Sequence, residues 1–197
     1  MSDAEIILLA GGASSRMRGV DKLLHQIRGT TLLRDRATAC LNARARRVIA
    51  VIAPDRPAHR EALAGLDVEI VENGGSSHGI SRSLQVGIAR VKSDAALIML
   101  CDLPDLTTND LDTIIGTSEA RPEASIIRGT SQAGKPGHPV LIRRALFGTL
   151  HALAGDTGAG TVLKAYQDQT HLVPLPGNRA LNDLDTPEEW ASWSVDQ

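Results

Sequence analysis

Short, unbroken apolar runs alternate along the chain with stretches of helical periodicity. Glu5–Ala10 (EIILLA), Val48–Ala53 (VIAVIA) and Ala95–Cys101 (AALIMLC) are closed by glycine, proline or aspartate, the pattern of strands covered on both faces of a parallel sheet. AALIMLC is the most apolar of these and is expected to be the central strand. Further strands are predicted at Asp67–Val71, Ala124–Arg128, Pro139–Ile142 and His171–Pro174, with Leu181–Leu184 extended. Between them, helices are predicted from Thr30 or Thr31, with Leu33, Ala37, Cys40 and Leu41 on one stripe, and at His59–Ala64. Ile80, Leu84, Ile88 and Val91 form the apolar face of another helix, and Thr107 or Thr108 caps one that runs to Ser118. Shorter helices follow at Arg143–Leu153 and Ala159–Gln169, and Asp185-Thr186-Pro187-Glu188 opens a last helix carrying Trp190 and Trp193 at a core edge. Such alternation of strand and helix predicts an α/β sheet with right-handed crossovers.

Composition narrows the function classes. A chain of 197 residues can bury roughly 70% of its unfolded surface in one core, so residues 1–197 are read as a single domain. The net charge of −2 provides no field to draw nucleic acid or an anionic membrane, so an anion site must be local. Aromatic residues at 2% exclude a base-stacking sheet. Cys40 and Cys101 are too few and too distant for a disulfide framework or a zinc site, and are expected to be small buried hydrophobes. No apolar run approaches the ~20 residues of a membrane span, and the N-terminus has no basic region before its apolar stretch. The expectation is a soluble cytoplasmic protein with no nucleic-acid or membrane partner.

The candidate chemistry begins where the first strand ends. Leu8–Leu24 (LLAGGASSRMRGVDKLL) runs from a strand through Ala10, Gly11 and Gly12 to Arg16 and Lys22, with Asp21 its only acid. Glycines admit a ligand close to the backbone, successive N–H groups make an anion nest, and Arg16 and Lys22 add a fork and a point charge. The pattern is neither GxxxxGK[ST] nor GxGxxG, so the residues alone define an anion site of unspecified type, or else a tight turn with solvated charges. Glu72–Gly79 (ENGGSSHG) is a second glycine-serine loop. Asp102 stands at the carboxyl end of the expected central strand, where open α/β sheets bind ligands, although Asp before Leu-Pro can also cap a turn. Beside a triphosphate a carboxylate requires an intervening cation, and magnesium supplies one through one or two carboxylates, phosphate oxygens and waters. Asp183 is the expected second carboxylate, because Asp185 looks committed to the helix cap.

These segments together resemble the nucleotidyltransferases of molybdenum cofactor biosynthesis, the MobA/MocA-like group. The resemblance rests on Leu9–Met17 with Asp21-Lys22-Leu23, Gly79–Leu84 with Gly87, Cys101–Pro104, Gly137–Val140, Gly155–Ala159 and Asp183–Glu188, in register along nearly the whole chain. It implies a Rossmann-like, mostly parallel sheet sandwiched by helices, of the nucleotide-diphospho-sugar transferase type. It implies catalytic roles for Arg16, Lys22 and Asp102, magnesium on Asp102 and Asp183, and nucleotide contacts from Leu9, Ala10, Gly11, Gly12, Asn73, Ser81 and Ser83. His138, in the GHP element, would lie towards the pterin, or else be a structural loop histidine. Two departures stand out: Arg18 and Gly19 lengthen the turn before Lys22, and LAGG resembles the guanylyltransferases whereas CDLP, GHP, GDTGAG and DLDTPE resemble the cytidylyltransferases.

The expected reaction is therefore magnesium-dependent transfer of a nucleoside monophosphate, from CTP by preference with GTP the alternative, to a phosphate of molybdopterin or molybdenum cofactor. A recipient molybdoenzyme would be a further partner. The competing expectations are a nucleotide-binding accessory protein for molybdoenzyme maturation without turnover, and a transferase acting on another phosphorylated acceptor.

Overall fold

A computed structural model describes residues 3–11, 17, 20–74, 79–152 and 159–195. The three apolar runs become β1 (Ala4–Ala10), β4 (Val48–Ile52) and β6 (Ala95–Leu100), and every residue of β1 and β4 is buried. With β5 (Glu69–Glu72), β7 (Ile126–Thr130), β8 (Pro136–Arg143) and β9 (Thr170–Pro174) they form a seven-stranded sheet in the order β5-β4-β1-β6-β8-β7-β9. β6 is the middle strand, as its composition predicts. All pairings on the β5 side of β6 are parallel; β8 runs antiparallel to both β6 and β7, and β9 is parallel to β7. A small hairpin, β2 (Gln26–Ile27) and β3 (Thr30–Thr31), lies apart.

Because successive strand residues face opposite ways, β1 feeds two cores. Ile6 and Leu8 join Leu97 and Met99 in the layer that contains residues of α1 (Leu32–Leu41) and α4 (Thr108–Ala120). Ile7 and Leu9 join Ile49, Val51 and Ile98 against α3 (Gly79–Ile88) and α5 (Phe147–His151). Two shorter helices, α2 (Pro57–Ala62) and α6 (Gly160–Ala165), and the C-terminal α7 (Pro187–Val195) complete the layers. Thr31 and Thr107 cap α1 and α4 through their side chains, and Asp110 completes a capping box at α4. Trp190 is buried in the first layer with Trp193 packed against it, and both cysteines are buried free thiols.

The structure departs from the sequence expectation at several places. β8 starts at Pro136 rather than Pro139, because Thr130 pairs with Pro136 and the glycine-rich stretch becomes a tight hairpin turn. The segment Leu181–Leu184 forms no strand; it is fixed by Leu184, which is buried, and by the Leu184 N–H donating to the Asp102 carbonyl at 3.2 Å. Ile80 is 52% exposed, in the first turn of α3, one turn ahead of the buried Leu84. Gly137 is required where it stands: a Cβ there would lie 2.0 Å from the Ala180 carbonyl oxygen, against which the C-terminal segment is pinned by the His138 N–H at 2.9 Å. Among the described residues no helix is long and apolar enough to cross a membrane.

Candidate active site

The carboxyl ends of β1, β5 and β6 meet the turn that follows β1. Asp21 caps a 3-10 turn, Lys22–Leu24, by accepting the Leu23 N–H at 3.1 Å. From that turn the Lys22 ammonium donates to Asp102 Oδ2 at 2.7 Å and to Asp185 Oδ1 at 2.6 Å. The three side chains are 8%, 22% and 15% exposed, too enclosed for the pair to be screened as on a surface. Burial alone pulls the ammonium down, but the Asp102 and Asp185 carboxylates outweigh it and hold the Lys22 pKa above its ordinary value.

Asp185 thus stands where Asp183 is expected. Asp183 is exposed, and among the described residues it has no link to Lys22 or Asp102. The reason lies in the cap: Glu189 Oε2 accepts the N–H groups of Asp185 and Thr186 at 2.8 and 2.9 Å, while the Thr186 hydroxyl accepts the Glu189 N–H at 3.2 Å. Thr186 and Glu189 make the capping box, which releases the Asp185 carboxylate to face Lys22. The signal was present in the sequence as Thr-x-x-Glu, one residue later than Asp185.

Asp102 is placed by residues that carry no motif. Arg36, buried in α1, donates to the carbonyls of Leu103, at 3.2 Å, and Leu106, so the loop after β6 is clamped from below. Trp193 Nε1 and Asn182 Nδ2 hold Asp105. Turn geometry is held from the other side by Asp21, whose Oδ2 accepts from Arg56 at 2.6 Å and pairs with His59 Nε2 at 2.8 Å. Burial would raise the Asp21 pKa, but the His59 bond and charge, Arg56 and the Leu23 N–H bring it down to about 2.

A second cluster gathers Gly11, Asn73 and Ser83. Asn73 Nδ2 donates to Ser83 Oγ at 3.0 Å, and a Cβ on Gly11 would come within 2.9 Å of the same oxygen. Ser81, two residues earlier on α3, is buried. Leu9 and Ala10 are buried at the end of β1. Of the residues expected to contact nucleotide, Gly11, Asn73 and Ser83 thus meet, Leu9 and Ala10 belong to the two cores on either face of the sheet, and Gly12, with Arg16 and Gly155-Asp156-Thr157-Gly158, lies outside the described residues.

His138 sits at the start of β8. Burial, with the Arg128 charge beside it, lowers its pKa to about 4, so the imidazole is neutral at pH 7. Its Nδ1 is buried without a hydrogen-bond partner.

The donor set can be tested against a divalent cation. Asp102 Oδ1 is buried and has no hydrogen-bond partner, and the Asp185 carboxylate faces the same ammonium. Among the described residues no cluster of three or more His, Cys, Asp or Glu side chains could hold a metal. Two carboxylates are nonetheless the usual protein share for magnesium when phosphates and waters complete the shell, so these residues fit the ion.

A mostly parallel sheet with an enclosed Lys–Asp–Asp centre and a cluster of small residues at its carboxyl edge has the layout of an α/β phosphate-handling enzyme. Residues 6–170 match the MobA-like NTP transferase domain, and the chain belongs to that family. It is 32% identical over 193 residues to a protein of Trichormus variabilis named "Probable molybdenum cofactor guanylyltransferase", covering 97% of this chain and 90% of that one. It is 28% identical over 153 residues to the bifunctional protein GlmU of Mycolicibacterium vanbaalenii, which matches 73% of this chain, and the chain spans only 31% of that relative's length. The crystal structure of Rv0371c from Mycobacterium tuberculosis superposes with a TM-score of 0.81 at 28% identity, covering 96% of this chain and 97% of that one.

Proposed function

We propose that the protein is a magnesium-dependent nucleotidyltransferase that moves a nucleoside monophosphate from a nucleoside triphosphate to a phosphate of molybdopterin or molybdenum cofactor, releasing pyrophosphate. The observation that carries this reading is the buried Lys22 ammonium between Asp102 and Asp185, next to the glycine turn. An acceptor phosphate oxygen attacks the α-phosphorus, the bond from that phosphorus to the bridging oxygen breaks, and pyrophosphate leaves with the electron pair. The nucleophile is already an anion, so no general base is needed and the protein's work is positioning and charge neutralisation.

Asp102 and Asp185 are the residues that would hold magnesium, which when bound supplies charge neutralisation between the carboxylates and the phosphates. Lys22, whose raised pKa keeps it charged, donates to the α-phosphoryl oxygens as charge builds there. Arg16 is assigned to the pyrophosphate on the family resemblance. Gly11 leaves room for the nucleoside, which Asn73 and Ser83 orient by hydrogen bonds. LAGG and the relative named as a guanylyltransferase favour GTP; the CDLP, GHP and GDTGAG elements favour CTP. An accessory protein for molybdoenzyme maturation would bind nucleotide without turnover.

The test is a pyrophosphate-release assay with magnesium, molybdopterin and CTP, GTP or ATP in turn. The expected outcome is release with CTP or GTP that depends on both metal and acceptor. Tight nucleotide binding without release would overturn the enzymatic reading, and release with a sugar phosphate in place of molybdopterin would reassign the acceptor.

A further inference from the structure

At the far end of the sheet from Gly11, Asn73 and Ser83, a cavity of about 350 Å³ opens between α6 and strands β7, β8 and β9. Arg128, Pro136, Leu163, Lys164, Gln167 and Leu172 are among its lining residues, and among the described residues no carboxylate lines it. Arg128 is half-buried on β7, and its only described bond runs from Nε to the Gly137 carbonyl at 3.0 Å. Among the described residues neither Arg128 nor Lys164 meets a carboxylate. A guanidinium that gives up water without a counter-ion is costly, and here the loss of water is enough to lower the Arg128 pKa. Two cations around one cavity, the more enclosed making no bond from either terminal nitrogen among the described residues, is the donor arrangement for a dianionic group such as a phosphate.

The position of the cavity says which substrate it serves. In the sheet order, the Gly11, Asn73 and Ser83 cluster lies by β1 and β5, Asp102 follows the middle strand β6, and the cavity lies beyond β8. The Gly137 carbonyl that accepts from Arg128 belongs to the residue before His138, whose ring senses both Arg128 and Asp102. A group in the cavity is therefore on the side of Asp102 away from the nucleoside.

We infer that this cavity binds an anionic group of the acceptor substrate, remote from its attacking phosphate, with Arg128 and Lys164 as the cations that hold it. The assignment to the acceptor rests on the transferase reading above; the anion site itself does not. The experiment has two arms on wild type, Arg128→Gln and Lys164→Gln, the last an exposed position whose change leaves the fold untouched. In the first arm, inorganic phosphate is titrated while the arginine Nε–Hε resonance that disappears in Arg128→Gln is followed by NMR. A saturable shift, weakened in Lys164→Gln, is expected; no saturable shift overturns the site. In the second arm, the KM of acceptor and of nucleoside triphosphate are measured by pyrophosphate release. Loss of a charged hydrogen bond predicts an acceptor KM raised about 10-fold or more in Arg128→Gln, with the nucleotide KM unchanged. A raised nucleotide KM with the acceptor KM unchanged overturns the acceptor assignment. If wild type releases no pyrophosphate with any triphosphate, the transferase reading fails and takes the acceptor assignment with it, while the phosphate titration still decides the anion site.

Discussion

The Lys22 ammonium at 2.7 Å from Asp102 and 2.6 Å from Asp185 makes each of the three side chains depend on the other two. Removing Asp185 takes away one of the two carboxylates that pair with Lys22, whereas Asp183, exposed and two residues away, should be nearly silent. Asp185→Ala is expected to lower kcat by roughly 10² to 10³, and Asp183→Ala to leave it within about 3-fold, both read as pyrophosphate release. Equal losses in the two variants would contradict the placement of Asp185. At the nucleotide cluster, Gly11→Ala puts a methyl 2.9 Å from Ser83 Oγ, so a raised triphosphate KM with kcat retained is expected. Lys22 and Asp102, which the structure brings together, could be singled out in the sequence because a lysine after a glycine-rich stretch and an acid after the most apolar strand are local signals. Asp185 is hidden in the sequence because it reads as the cap of the last helix, whereas Thr186 and Glu189 make that cap and leave the Asp185 carboxylate to Lys22.

Elements matter here for what they hold still. The 3-10 turn that carries Lys22 is tied through Asp21 to Arg56 and His59 at the start of α2, and the loop after Asp102 is tied through Arg36 to α1. Neither helix contains a motif, and the periodicity that predicts α1 assigns Arg36 no function, because sequence spacing does not show which carbonyls a buried guanidinium will meet. His59→Ala should therefore weaken turnover by displacing Lys22 while leaving magnesium-independent nucleotide binding intact, a split that kcat against Kd measurements would reveal. At α7, Thr186→Ala removes the cap that frees Asp185. A stability loss of about 1 kcal/mol is expected by urea unfolding, with a larger fall in kcat than that loss alone would cause.

Across the molecule, the central strand and the two-sided core were readable from the apolar runs, while the strand order and the reversed strand β8 were not: its pairing with β6 is long-range, and PVLI reads alike in either direction. His138, on that strand, and Asp21, beside α2, both contribute to stability against acid. The His138 pKa is lowered from 6.5 to about 4 by burial, so its share of stability is full above about pH 6.5 and falls away towards pH 4, by about 3 kcal/mol. The Asp21 pKa, lowered from 3.8 to about 2, adds a second loss of about 2 kcal/mol, complete only below pH 2. Urea unfolding against pH should show the two windows in succession, and His138→Gln should flatten only the upper one. The reversal of β8 has a further result. Every strand parallel to β6 ends at the edge where Asp102 stands, but β8 departs from there, so its first residues and the short turn before them, residues 131–135, lie on the side of β6 away from Gly11, Asn73 and Ser83. That turn can change in length or composition without shifting the strands that hold the nucleotide. With the acceptor held at the cavity inferred above, a lineage could exchange acceptors through this turn while keeping its nucleotide.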